Sequence, residues 1–135
     1  SYRDRKLSVR PDRAIGMERR AVTLVALGGF TGATARHAVT VVLPTTFPWG
    51  TLAVNVVGSF LLGLVVYEAR ERGSISPRIR LAVSTGFVSS FTTYSTFAAE
   101  TVGLAPTLAA LNIVGNYALG FLAVLSAQVV IRWRS

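Results

Sequence analysis

The sequence contains no cysteine and only one histidine, His37. Disulfide frameworks, thiolate metal sites and cysteine nucleophiles are therefore excluded. Acids are scarce as well: Asp and Glu total 6 against 14 Lys and Arg, leaving a net charge of +8. So few acids and one histidine leave little for a metal cluster. Charge of both signs is low, at 15% of residues, where a soluble domain carries about 25%. The chain is 51% hydrophobic, with a mean hydropathy of +0.51. That balance argues against a soluble enzyme and against a disordered chain. A basic patch on a soluble fold is also the wrong picture for so apolar a sequence. No nucleic-acid partner is expected.

What the 135 residues do contain is long stretches without charge. Residues Ala21 to Leu43 are interrupted only by Arg36 and His37, while Gly50 to Tyr67, Leu81 to Ala99 and Thr101 to Ile131 have no charged residue. A spanning helix needs about 20 mostly apolar residues. The runs predict an all-α membrane protein with four transmembrane helices, over about 21–43, 50–67, 81–99 and 106–131. Residues 1–20 read as a basic cytoplasmic tail without periodicity, and 21–135 as the four-helix membrane domain. The tail and first run also have the order of a signal peptide, but the run is longer than an h-region and lacks a convincing cleavage site. Pro44 to Trp49, Glu68 to Arg80 and a few residues around Gly103 are the connectors, and Pro106 suits a first helical turn.

Charge sets the orientation. Arg3, Arg5, Lys6, Arg10, Arg13, Arg19 and Arg20 precede the first run, Arg70, Arg72, Arg78 and Arg80 flank the second connector, and Arg132 and Arg134 end the chain. With four spans these fall on one side, and only Arg36 lies elsewhere. The positive-inside bias then predicts a plasma-membrane protein with both termini in the cytoplasm.

Polar residues inside the spans are the informative ones, because unsatisfied polar groups are costly in a bilayer. Gly28, Gly32 and Arg36 share a helix face, and small residues at that spacing allow close helix approach. Arg36 has two readings: it snorkels to the interface, or it places a fixed positive charge at an aqueous mouth. Asn55, with Ser59 one turn later, is either interhelical glue or a neutral donor for an anion. The third run is the least ordinary, because Thr92, Thr93, Ser95 and Thr96 crowd its centre. Hydroxyl side chains bond back to the backbone and bend helices, so a break is expected there, with freed carbonyls able to hold a cation. Tyr94 and Phe97 lie on one face, as core packing or as ring edges whose positive potential meets an anion.

Gly28-Gly29 with Gly32-Ala33 and Arg36, then Pro48-Trp49-Gly50-Thr51-Leu52 with Asn55, Gly58, Ser59 and Gly63, then Gly86-Phe87 with Thr92-Thr93-Tyr94-Ser95-Thr96-Phe97 and Glu100 stand in one order and spacing. In this the sequence resembles the Fluc/CrcB fluoride channels, closely over three helices and loosely over the fourth. The resemblance implies an antiparallel dimer of four-helix subunits with a broken third helix and two narrow pores that export fluoride passively. Asn55 then ligates fluoride, Tyr94 and Phe97 form an aromatic box, and Ser95 and Thr96 lie between them. Arg36 and Glu100 match polar positions near the pore. A structural sodium ion at the dimer centre maps onto backbone carbonyls of Ser89 and Thr92. The chain departs from the family pattern at Tyr94, where Phe is usual, at Ser89-Ser90, where a Gly pair is usual, and at Asn112 and Asn116, which replace an expected Tyr and Ser. Asn112, Asn116 and Gly120 keep the spacing of one face, so a polar track survives with altered chemistry.

Fluoride, sodium and membrane lipid are thus the expected partners, with an oppositely oriented homologous subunit. The strong Lys/Arg bias favours one orientation and hence a heterodimer; a homodimer is the alternative. A small four-helix multidrug or cation exporter is the main rival, but it needs a membrane-embedded acid, and Glu100 stands at the end of its span. A non-conducting assembly subunit is the other rival. No nucleophile–base pair or metal cluster supports an enzyme.

Overall fold

The computed structural model describes residues 11–134, and among these it is all-helical. Helix α1 spans Pro11–Val42 and α2 spans Trp49–Glu71. A third helical run starts as α3 (Pro77–Leu81), widens into a π-helical stretch (Ala82–Val88), and continues as α4 (Ser89–Phe91) and α5 (Tyr94–Val102). Helix α6 spans Pro106–Arg134. Two of these, α2 and α6, are long and apolar enough to cross a membrane.

Helix α1 begins at Pro11, not near Ala21, and takes in the second half of the stretch expected as a tail. Proline is well suited to a first helical position, where its missing N–H is no loss. Between it and the apolar run no second proline stops the helix. The rest of the expected tail lies outside the described residues.

The ends of the elements are built locally. Gly73, at φ +62°, leaves α2 in the left-handed region and donates its N–H to the Glu68 carbonyl. That is the usual glycine stop. Ser76 caps α3 by accepting from the Ile79 N–H, with Pro77 behind it. Inside the third run, the Ser84, Ser89 and Thr92 hydroxyls donate to the carbonyls of Arg80, Thr85 and Val88. Such bonds compete with regular helical pairing. At Thr92 (φ −81°, ψ 159°) and Thr93 (φ −149°, ψ 120°) the backbone is extended.

Packing makes that interruption useful. Helix α2 lies along α6, and α1 lies along the π-helical stretch and α4, while α5 packs on α6. The third run therefore starts beside α1, passes α2 and finishes beside α6. The approach to α1 is very close. A Cβ on Gly28 would sit 2.3 Å from the Ala82 carbonyl oxygen, and one on Gly32 would sit 2.3 Å from that of Phe87. These are backbone atoms, which cannot swing aside.

Beyond the apolar part of α2, Glu68 is buried and organises the connector. One carboxylate oxygen accepts from the Ser74 hydroxyl and from the N–H groups of Ser74 and Ile75. The Ser74 hydroxyl above all, then these N–H groups and the Arg80 charge, outweigh desolvation and hold the carboxyl below its usual range. Glu71 at the helix end pairs with Arg132 at 3.3 Å, tying the end of α2 to the end of α6.

Two outcomes follow from this packing. Gly32→Ala should destabilise the folded protein by about 1–3 kcal/mol, the usual range for overpacking, and lower its melting temperature in detergent. An unchanged melt would show that α1 and the third run separate freely. Because folding depresses the Glu68 pKa, its charge contributes stability above the unfolded carboxyl's pKa and loses it as pH falls through the folded value. The stability gap between wild type and Glu68→Gln, followed by melting against pH, should shrink across that acidic window and stay flat above it.

Candidate functional site

The extended backbone at Thr92 and Thr93 frees groups that a continuous helix would have paired, and Asn55 takes them up. Its Oδ1 accepts from the Thr93 N–H at 2.8 Å and its Nδ2 donates to the Thr93 carbonyl at 3.1 Å. A side chain of α2 thus completes both hydrogen bonds of a residue in the third run. Thr93, itself buried, closes the corner from the other side by accepting from the Thr96 N–H.

Three cavities border this corner, and two of them gather the remaining candidate residues. The first, about 370 Å³, is lined among others by Arg36, His37, Thr51, Thr93, Thr96 and Glu100. It carries a cation, a carboxylate and several hydroxyls, the makings of a polar vestibule. Thr51 donates to Glu100 at 2.5 Å, so the carboxylate is anchored to α2. The second cavity, also about 370 Å³, is lined by Asn55, Ser59, Tyr94, Phe97, Asn116 and Tyr117, with Gly120, Phe121 and Val124. Three of its aromatic residues, Tyr94, Phe97 and Tyr117, form a connected set. Tyr94 and Phe97 have ring centroids 5.9 Å apart, and Phe97 meets Tyr117 edge-on at 6.2 Å and 82°. Phe97 is buried, whereas Tyr94 and Tyr117 are 73% and 63% exposed.

Helix α6 supplies the remaining polar groups. Asn112, fully buried, donates to the Thr101 hydroxyl at 2.9 Å. Asn116 donates to the Asn112 side chain and carbonyl and accepts from Asn55 at 3.1 Å. Asn55, Asn112 and Asn116 thus form one hydrogen-bonded chain, with Phe97 and Tyr94 on the same cavity. Arg36, Thr96 and Glu100 gather in the vestibule instead. Ser95 is exposed and joins neither cavity's lining. Ser89 and Thr92 stand just before the corner, Ser89 exposed and Thr92 half-buried.

Four further contributors complete the set, and two of them, Thr101 and Tyr117, lie outside the motif stretches. Thr93 and Thr101 act through partners on other helices, and Tyr117 reaches Phe97 from α6. Thr51 had a signal, since it lies one turn before Asn55 on the same face. The set offers neutral N–H and O–H donors and ring edges at its centre, with formal charge only at the vestibule. Among the described residues no three His, Asp or Glu gather as a metal site. Such a lining suits passage of a small anion better than bond-making chemistry.

Residues 23–128 match the family model described as CrcB-like protein, Camphor Resistance (CrcB). The chain is 67% identical over 119 residues to the fluoride-specific ion channel FluC 1 of Natronomonas pharaonis, covering 88% of this chain and 100% of that one. It is 53% identical over 111 residues to FluC 1 of Haloarcula marismortui, covering 82% and 85%. To FluC 2 of Halobacterium salinarum it is 44% identical over 115 residues, covering 84% and 88%. With the family model spanning the helices that build both cavities, and with two helices fit to cross a bilayer, this membrane protein belongs to the CrcB family.

Proposed function

We propose that the chain is a subunit of a fluoride channel that lowers cytoplasmic fluoride by passive export. One observation carries the reading: the Asn55 amide sits at an interruption of the third run, between a polar vestibule and an aromatic-lined cavity. The relatives bearing the name fluoride-specific ion channel support it. Fluoride holds its water tightly, so a pore must offer several donors together. Amide N–H, hydroxyl and ring-edge groups do so without a permanent charge that would trap the ion. Conduction requires binding favourable enough to enter and weak enough to leave. Arg36 then attracts anions at the mouth, and Phe97 turns its edge to the path.

A four-span subunit in an antiparallel, double-pore dimer completes the reading. The second cavity is open on one side, where Tyr94, Tyr117 and Phe121 are exposed. Polar backbone and amide groups at membrane depth must be covered by protein or line a water-filled path, which a second subunit would provide. A structural sodium ion fits in one respect. Thr93 gives its N–H to Asn55, so the Ser89 carbonyl lacks its ordinary helical donor four residues on. The carbonyls of Ser89 and Thr92 would hold the ion, with the partner supplying further oxygens, and its charge would add a positive field near the path.

Orientation follows the charge distribution. Arg19, Arg20 and Arg78 line one cleft, and the Arg132–Glu71 pair joins the ends of α6 and α2. In this reading those ends face the cytoplasm, as do both termini, and the partner is a homologous subunit inserted the opposite way.

Asn55→Asp preserves size but replaces the donor by a carboxyl, and should abolish fluoride efflux from liposomes while the protein still inserts. Undiminished efflux would remove Asn55 from the path. Single cysteines at Ser8 and at Thr45, labelled from outside intact cells, test the orientation. Labelling at Thr45 alone is expected, and equal labelling at both would mean dual topology and a homodimer.

A further inference from the structure

The amides of Asn55, Asn116 and Asn112 form a hydrogen-bonded chain whose direction is fixed at both ends by backbone. At one end the Thr101 hydroxyl donates to the Phe97 carbonyl at 2.7 Å, so its oxygen is left to accept from the Asn112 Nδ2. Asn112 therefore turns its Oδ1 to Asn116, whose Nδ2 reaches it at 3.1 Å and the Asn112 carbonyl at 2.8 Å. Asn116 in turn directs its Oδ1 at Asn55. At the other end the Thr93 N–H can only donate, and it holds the Asn55 Oδ1. Reversing Asn116 would set oxygen against oxygen on one side and NH₂ against NH₂ on the other. Each amide has one permitted direction.

This leaves Asn55 without a spare donor. An amide NH₂ carries two hydrogens, and here one goes to the Thr93 carbonyl and the other to the Asn116 Oδ1. The Thr93 bond is to backbone at a buried corner, whereas Asn55 and Asn116 both line the aromatic cavity. An anion arriving there must take the second hydrogen from Asn116.

We propose that Asn116 is a positioning residue whose side-chain oxygen is a built-in competitor of the ion. Between ions it occupies the Asn55 N–H, and an arriving fluoride displaces it; when the ion leaves, the amide bond re-forms. Hydrogen bonds to an ion are about twice as strong as neutral ones, so the ion wins the exchange at reduced net affinity. Weakened binding favours release, which a conducting site requires. The inference rests on the fluoride reading, with Asn55 as ligand, and adds what sets that ligand's strength.

The test is calorimetric titration of sodium fluoride into purified, detergent-solubilised protein. Asn116→Ala removes the competing oxygen, and fluoride binding should tighten about fivefold, the worth of one neutral hydrogen bond. Asn116→Leu, with the same number and branching of side-chain heavy atoms as Asn, serves if the alanine variant fails to fold, and it should tighten binding in the same direction. A merely structural role can only weaken binding, so tightening is diagnostic. Unchanged affinity would overturn the proposal, and weakened affinity would make Asn116 a ligand or a scaffold instead. Wild-type binding lost in Asn55→Asp confirms the ligand on which the inference rests. If wild type binds no fluoride, the fluoride reading and this proposal fall together; if Asn55→Asp binds it normally, Asn55 is not the ligand and this proposal falls alone.

Discussion

The paired hydrogen bonds between Asn55 and the backbone of Thr93 are the constraint on which the site depends. Extended backbone inside an apolar bundle leaves an N–H and a carbonyl unpaired, and each unpaired group is expensive at membrane depth. One amide side chain offers both an acceptor and a donor at the separation a peptide group presents. Asn55 therefore satisfies Thr93 at 2.8 and 3.1 Å, and the third run can cross from α1 to α6 without a continuous helix. A residue placed to rescue the backbone is thereby also placed between the two cavities. Structure and site come from one requirement.

The same crossing explains the glycines of α1. The π-helical stretch Ala82–Val88 is broader than an α-helix and carries its carbonyls close to the neighbouring helix. Gly28 and Gly32 leave room for the carbonyls of Ala82 and Phe87. Lipid gives helices no hydrophobic reason to associate, so association relies on close van der Waals contact and polar pairing. Close contact holds the first half of the third run against α1, and the Asn55 bonds hold its corner against α2. The two kinds of restraint fall on opposite sides of Thr92, and together they fix where the extended backbone must lie.

Much of this was legible in residue patterns, for reasons that also mark the limit. Apolar runs report helices because length and hydropathy are local properties, and α2 and α6 appear within a few residues of their expected bounds. Helix α1 extends before its apolar run, and a polar helix end has no apolar periodicity to announce it, although Pro11 is a fitting first residue. Asn55, Phe97, Asn112 and Asn116 were identifiable as polar or aromatic residues repeating on membrane helix faces. Their partners were not. Which hydroxyl Asn112 meets, and that Tyr117 turns its ring to Phe97, depend on how α5 settles on α6. Ser95 shows the converse: a hydroxyl in the right stretch of sequence can still face away from both cavities, since neighbours on a helix point about 100° apart.

The distribution of charge gives the arrangement its sign. Arg36 and Glu100 stand in the vestibule, and the inner cavity is lined by amide, hydroxyl and aromatic groups without formal charge. A fixed cation in the inner cavity would bind an anion strongly and hold it, because charges attract far more strongly in a low-dielectric interior than in water. Neutral donors give a shallower well, and their number can make up for lost hydration without deepening it beyond escape. The amide chain limits that well further, because the Asn55 and Asn116 NH₂ groups each already have two oxygen partners. On the proposed displacement, the ion gains the difference between a charged and a neutral acceptor, not the whole of a new hydrogen bond. That difference is small enough to be reversed as the ion moves on, which is why a chain of neutral amides suits a path along which nothing should remain.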